Sequence, residues 1–182
     1  KANGEALRKE HGYPVRLVVP GWEGNMWVKW LRRIEVTDAA VESREETSKY
    51  TDTLEDGTSR KWTWEMDAKS VVTSPSPQAP ITHGTGPLVI SGLAWSGRGA
   101  ITRVDVSKDG GKTWETARLA KPGEKMALTR FYLDTTWDGT EMLLQSRAMD
   151  ETGYVQPTKT QLREVRGLNS IYHNNCIQTW WV

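Results

Sequence analysis

The chain has 182 residues and a formal charge of +1, enough for one or two small domains with cores of their own. Basic and acidic side chains nearly cancel without a clustered basic face, and no apolar stretch is long enough to span a membrane, so nothing points to nucleic acid or to a bilayer. Cys176 is the single cysteine, which excludes an internal disulfide, and ten tryptophans against one phenylalanine suit interfaces and pockets as well as cores.

The N-terminal segment KANGEALRKEHGYPVR has no initiator methionine and no signal peptide, and it reads as a chain already in progress, a C-terminal fragment or a processed piece. Residues 13–20 (YPVRLVVP) predict a strand bounded by prolines. The Pro20-Gly21 turn leads to a second predicted strand over about residues 27–36. Residues 37–60 carry charges of both signs without a sustained period and read as loop. Residues 61–66 (KWTWEM) alternate, with Trp62, Trp64 and Met66 on one face, predicting a half-buried strand. Pro75, Pro77 and Pro80 then mark the best domain boundary.

Beyond the prolines, Leu88-Val89-Ile90 runs into Gly92-Leu93-Ala94-Trp95. Residues 101–106 and 113–119 alternate on either side of Asp109-Gly110-Gly111, a hairpin signal. Further short strands are predicted at residues 129–133, 141–149 and 161–165, and no segment shows a convincing helical period. About seven short strands in roughly a hundred residues predict a mainly β fold, an immunoglobulin-like β-sandwich without the Cys…Trp…Cys core of antibody domains.

Two cations sit where apolar residues are expected. Lys29 interrupts Trp27-Val28-Lys29-Trp30-Leu31, and Arg16 interrupts Pro14-Val15-Arg16-Leu17-Val18-Val19. A buried ammonium is costly unless paired. Lys29 therefore reads either as a side chain snorkelling to solvent or as the partner of an anion lying over the strand, and Arg16 reads either as a surface ion pair or as a second contact to that anion. His11, beside Gly12, reads either as a polar loop residue or as a further donor to the same anion. His83 has no neighbours that suggest a site. Cys176 follows His173 by three residues, weak grounds for a metal or a tuned thiol against a plain tail cysteine.

Taken together, HGYPVRLVVPGWEGNMWVKWLRRIEV resembles a signature of the sulfite oxidase family of molybdopterin enzymes. SGLAWSGRGAITRVDVSKDGGKTWETARL, LTRFYL, TTWDG and RAMDETGYVQP are similar to that family's dimerisation domain, an immunoglobulin-like sandwich. Within the family, NMWVKWLRRIEV, REETSKYTD, DAKSVVTSPS and NSIYHNN look most like the SoxC-type molybdenum subunits of bacterial sulfane dehydrogenases. The resemblance implies that residues 1–36 end a molybdopterin-binding domain, residues 37–80 are a linker with a connecting strand, and residues 81–182 form the dimerisation sandwich. It further implies that His11, Arg16, Trp27, Val28 and Lys29 contact the cofactor. Arg16 and Lys29 would neutralise the phosphate and polar pterin, and Trp27 and Val28 would act mainly through backbone groups.

The family's metal-ligating cysteine lies upstream of this signature, so Cys176 is not recruited to that role and the piece alone is expected to be inactive. Family members that oxidise free sulfite carry an arginine near the C-terminus; alignment on Arg166-Gly167 and Ser170 puts Asn175 there, a neutral amide in place of a charged fork. That suits a sulfur chain carried on a protein. The resemblance thus implies an intact periplasmic homodimer with a molybdenum-molybdopterin cofactor, oxidising sulfur compounds of a thiosulfate-oxidation pathway and passing electrons to a c-type haem subunit. The alternatives are a dehydrogenase of free sulfite, a nitrate reductase, and, from another class, a non-catalytic dimerisation or docking module.

Overall fold

The computed structural model describes every residue except Trp62, Pro122, Asn169 and Ile171, together with the side chain of Glu46. The expected role of Trp62 in an alternating strand lies outside the described residues.

In chain order the strands are β1 (Asp52–Thr53), β2 (Ser59–Arg60), β3 (Lys69–Ser74), β4 (Gly86–Trp95), β5 (Ile101–Ser107), β6 (Glu115–Thr116), β7 (Arg118–Leu119), β8 (Thr129–Trp137), β9 (Leu143–Asp150) and β10 (Thr179–Trp181). Two antiparallel four-stranded sheets, ordered β10-β9-β5-β6 and β3-β4-β8-β7, pack as a mainly β, immunoglobulin-like sandwich. The alternating apolar positions of β4, β5, β8 and β9 turn inward, so Leu88, Ile90, Val104, Val106, Phe131, Leu133 and Leu144 form one core. The Asp109 turn closes the expected hairpin, with Asp105 opposite Thr116 and Val106 opposite Glu115. The expected single strand over 113–119 divides. β6 pairs with β5 and β7 with β8, and the chain changes sheets at buried Ala117, whose amide donates to Val104 O at 2.8 Å.

Four expectations are corrected. Residues 161–165 form no strand but lie in helix α2 (Lys159–Arg166), which follows the short α1 (Arg44–Ser48). The Thr158 hydroxyl accepts from the Gln161 amide and the Gln161 side chain reaches back to the Thr158 amide, a capping box that nucleates the helix. The proline boundary falls between β3 and β4, which are hydrogen-bonded neighbours, so residues 69–74 belong physically to the sandwich. Ser70 Oγ of β3 also crosses to Ser146 Oγ of β9 at 2.9 Å. Residues 61–66 hold no continuous strand among those described, only the single bridge from Glu65 to Trp22. Finally, the two strands expected over 13–20 and 27–36 are extended segments joined by only two backbone bonds, Leu17 N to Val28 O and Leu31 N to Val15 O, both 3.0 Å. Trp30 takes φ +51°, which breaks the alternation after Lys29.

These extended segments are fastened to the sandwich at one backbone joint. Met66 N donates to Gly21 O at 2.9 Å, Gly97 N to Met66 O at 2.8 Å, and Glu23 N to Trp64 O at 2.7 Å. A Cβ on Gly97 would stand 1.9 Å from Gly21 O, so only glycine allows this approach.

Candidate cofactor-binding site

The turn Lys9–His11 closes on Gly12, and a Cβ at Gly12 would meet Lys29 Cα at 3.0 Å, so the turn packs directly on the second extended segment. From the first segment, Arg16 Nε donates to Trp27 O at 3.1 Å and Nη1 to His11 O at 3.4 Å. From the second, Lys29 Nζ donates to Glu10 O at 2.6 Å. Both cations thus converge on the carbonyls of adjacent residues in one turn. Among the described residues neither is paired with a carboxylate. Each keeps N–H donors beyond the ones it uses within the chain.

His11 joins the cluster through its carbonyl, its ring being exposed. Trp27 commits both backbone groups inside the chain, its amide to Gly24 O at 3.1 Å and its carbonyl to Arg16. The Val28 carbonyl is likewise taken by Leu17. The expected backbone contribution of Trp27 and Val28 is therefore largely used in shaping the cluster. Trp27 offers instead an indole N–H that is buried without a partner. Around the cations, Val15, Val18, Val28 and Trp30 are about half exposed, an apolar surface unusual for a finished exterior.

A second charged cluster lies where this segment meets the sandwich, and the sequence did not signal it. His173 is buried, with Nδ1 3.2 Å from Glu23 Oε1 and from Thr63 O, and Nε2 3.2 Å from Asp67 Oδ2. Arg166 of α2 forks between Asp52 Oδ2 and Asp67 Oδ2, both at 2.9 Å. Arg98 reaches Asp67 Oδ1 at 3.2 Å. Burial pushes the Asp67 carboxyl up, but hydrogen bonds from His173 and Arg166 outweigh it and hold the pKa down at about 2. Burial pulls the His173 imidazole down, but its bonds to Asp67 and Glu23 prevail and its pKa is raised.

Asn175 is not brought to the cation cluster by any hydrogen bond. It is fully buried, donating from Nδ2 to Ala68 O at 3.0 Å and to the Tyr154 hydroxyl at 3.2 Å. Cys176 is a buried free thiol whose Sγ accepts from Gln178 Nε2 at 3.4 Å. His83 is an exposed loop residue stacked edge-on to Trp137. No metal-ligating cluster occurs among the described residues.

The profile of the Mo-co oxidoreductase dimerisation domain matches residues 60–180, and that of the oxidoreductase molybdopterin binding domain matches residues 1–45. The chain belongs to the sulfite oxidase family of molybdenum-cofactor oxidoreductases. The crystal structure of the sulfane dehydrogenase SoxCD from Paracoccus pantotrophus is similar at a TM-score of 0.95 and 76% identity, covering 99% of this chain and 46% of that one. Sulfite oxidase of Gallus gallus is 39% identical over 85% of this chain and 36% of its own length. A nitrate reductase [NADH] of Solanum lycopersicum is 33% identical over 96% of this chain and 21% of its own length. The chain therefore spans less than half of each of these relatives.

Every expected contact residue, His11 to Lys29, falls within the molybdopterin-binding match. The residues fit such a group: two cations without carboxylate partners and an orphaned indole donor suit an anionic, hydrogen-bonding pterin.

Proposed function

We propose that the chain is the C-terminal part of the catalytic subunit of a molybdenum-dependent sulfane dehydrogenase. Arg16 and Lys29 hold the anionic part of the molybdopterin, Trp27 and Val28 shape its wall, and His11 fixes Arg16. The observation that carries this reading is the convergence of both cations on one turn in a chain 76% identical to SoxCD. When bound, the cofactor supplies the two-electron chemistry of sulfur oxidation. This chain supplies charge, orientation and one wall of the site.

The intact protein is read as a periplasmic dimer built through the sandwich, taking a sulfur chain on a carrier protein as substrate and delivering electrons to a c-type haem subunit. The 76% identity to the sulfane dehydrogenase SoxCD, against 39% to a sulfite oxidase, favours that substrate over free sulfite. Among the described residues no helix is long and apolar enough to cross a membrane. The test is steady-state turnover of the full-length protein on free sulfite and on a protein-bound sulfane. Turnover of the sulfane is expected; efficient sulfite turnover without it would overturn the substrate assignment. A pure docking module would bind no pterin at all.

A further inference from the structure

The His173 ring is held between two carboxylates. Glu23 comes from the turn that leads into Trp27, Val28 and Lys29, and Asp67 from the lead into β3. Both ring nitrogens therefore face carboxylate oxygens at 3.2 Å, and Thr63 O adds a third acceptor beside Nδ1. Among the described residues, the donor facing the ring is the Asp67 amide, at 3.5 Å from Nε2. A neutral imidazole has one N–H and one lone pair, and whichever nitrogen lacks the proton meets a carboxylate lone pair. Only the imidazolium donates on both sides.

Tyr50 lies beside Glu23 and is coupled to it electrostatically. Glu23 faces Nδ1, and Asp67 faces Nε2. Arg166 from α2 lies beyond Asp67 and is itself engaged by Asp52, while Arg98 binds Asp67 from the other side and Glu65 at the rim. Glu23 is buried and its Oε2 has no hydrogen-bond partner. Among the described residues, the side chain that its Oε1 meets is His173.

We propose that His173 is a positioning residue for the cofactor: as an imidazolium it pins Glu23, and through it the turn carrying Trp27 to Lys29, to the sandwich. The charge of one tail side chain thus sets how firmly the cofactor wall is held. The raised pKa of His173 agrees with this geometry. Its sign follows from linkage: the stabilisation is complete below the ordinary imidazole value of about 6.5 and is lost as pH rises through the higher folded value.

The proposal rests on the molybdopterin reading of residues 11–29, and the test separates the two. Pterin retained per polypeptide after gel filtration is measured from acid to alkaline pH on the full-length holoenzyme. The wild type is expected to lose pterin faster as pH rises past neutrality. Glu23→Gln, which removes the carboxylate that needs the charge, is expected to flatten that profile. His173→Gln is expected to lose pterin roughly tenfold faster at pH 6 and to lose its pH dependence, the scale of one charge-assisted hydrogen bond. The double variant His173→Gln with Glu23→Gln is expected to recover part of the loss. Wild-type rates independent of pH, or a Glu23→Gln profile unchanged from wild type, would overturn the proposal. If His173→Gln does not fold, the Glu23→Gln profile alone decides. Loss of pterin in an Arg16→Ala, Lys29→Ala variant alongside unchanged Glu23→Gln behaviour would sink this inference and leave the cofactor reading standing.

Discussion

Arg166→Met removes the fork that ties α2 to two separate segments. Arg166 and Asp52 are each 4% exposed and Asp67 8%, so both carboxylates stay buried after the change. Two charge-assisted bonds of 2.9 Å are lost. At about 1.5–3 kcal/mol each, they sum to roughly 3–6 kcal/mol. The measured cost of stripping one partner from a buried pair, about 3–5 kcal/mol, agrees. The expected loss is therefore about 3–5 kcal/mol, read by urea denaturation of the full-length protein followed by tryptophan fluorescence. Arg166→Lys is expected to recover only part of this, because an ammonium cannot present the planar fork to two carboxylates. A loss under about 1 kcal/mol, the scale of an exposed ion pair, would refute the reasoning, since it would mean that the cluster is solvated.

Gly167→Ala is expected to destabilise by at least about 2 kcal/mol in thermal melts, since residue 167 holds φ +75° and its Cβ would stand 1.9 Å from Thr53 O, next to Asp52. Asp67, held at about 2 against an ordinary 3.8, contributes stability that is present above 3.8 and lost as pH falls toward 2. The stability gap between wild type and Asp67→Asn is thus expected to narrow by roughly 2 kcal/mol across that acid range in denaturation curves. Asn175→Arg places a guanidinium where the side chain is fully buried, so lower soluble yield and a lower melting temperature are expected. A stable Asn175→Arg protein that gains sulfite turnover would contradict the buried position and favour a substrate-pocket role.

The parts legible in the sequence are those where burial imposes a period. β4, β5, β8 and β9 each turn alternate residues into one core, and each lies on or beside a predicted strand. α2 escaped because a five-residue window, QLREV, fits either period; the signals were Thr158 and Gln161 at capping-box spacing and buried Leu162 and Arg166 four apart. β3 escaped because Lys69, Ser70, Thr73 and Ser74 mask Val71 and Val72, although Ser70 points inward to Ser146. Arg16 and Lys29 stood out because a cation in an apolar run violates the local pattern. Glu23, Asp67, Arg166 and His173 did not, because charges in polar segments violate nothing. Their burial arises only when residues as far as 150 positions apart meet, a fact no local window contains.

The central claim is that Arg16 and Lys29, converging on the Lys9–His11 turn, hold a negatively charged pterin. The most direct measurement is pterin and molybdenum content per polypeptide in the full-length Arg16→Ala, Lys29→Ala variant against wild type, with circular dichroism as the folding control. Loss of two charge-assisted contacts, about 3–6 kcal/mol together, is expected to weaken retention by two to four orders of magnitude. A folded double variant that keeps its full cofactor complement would contradict the claim.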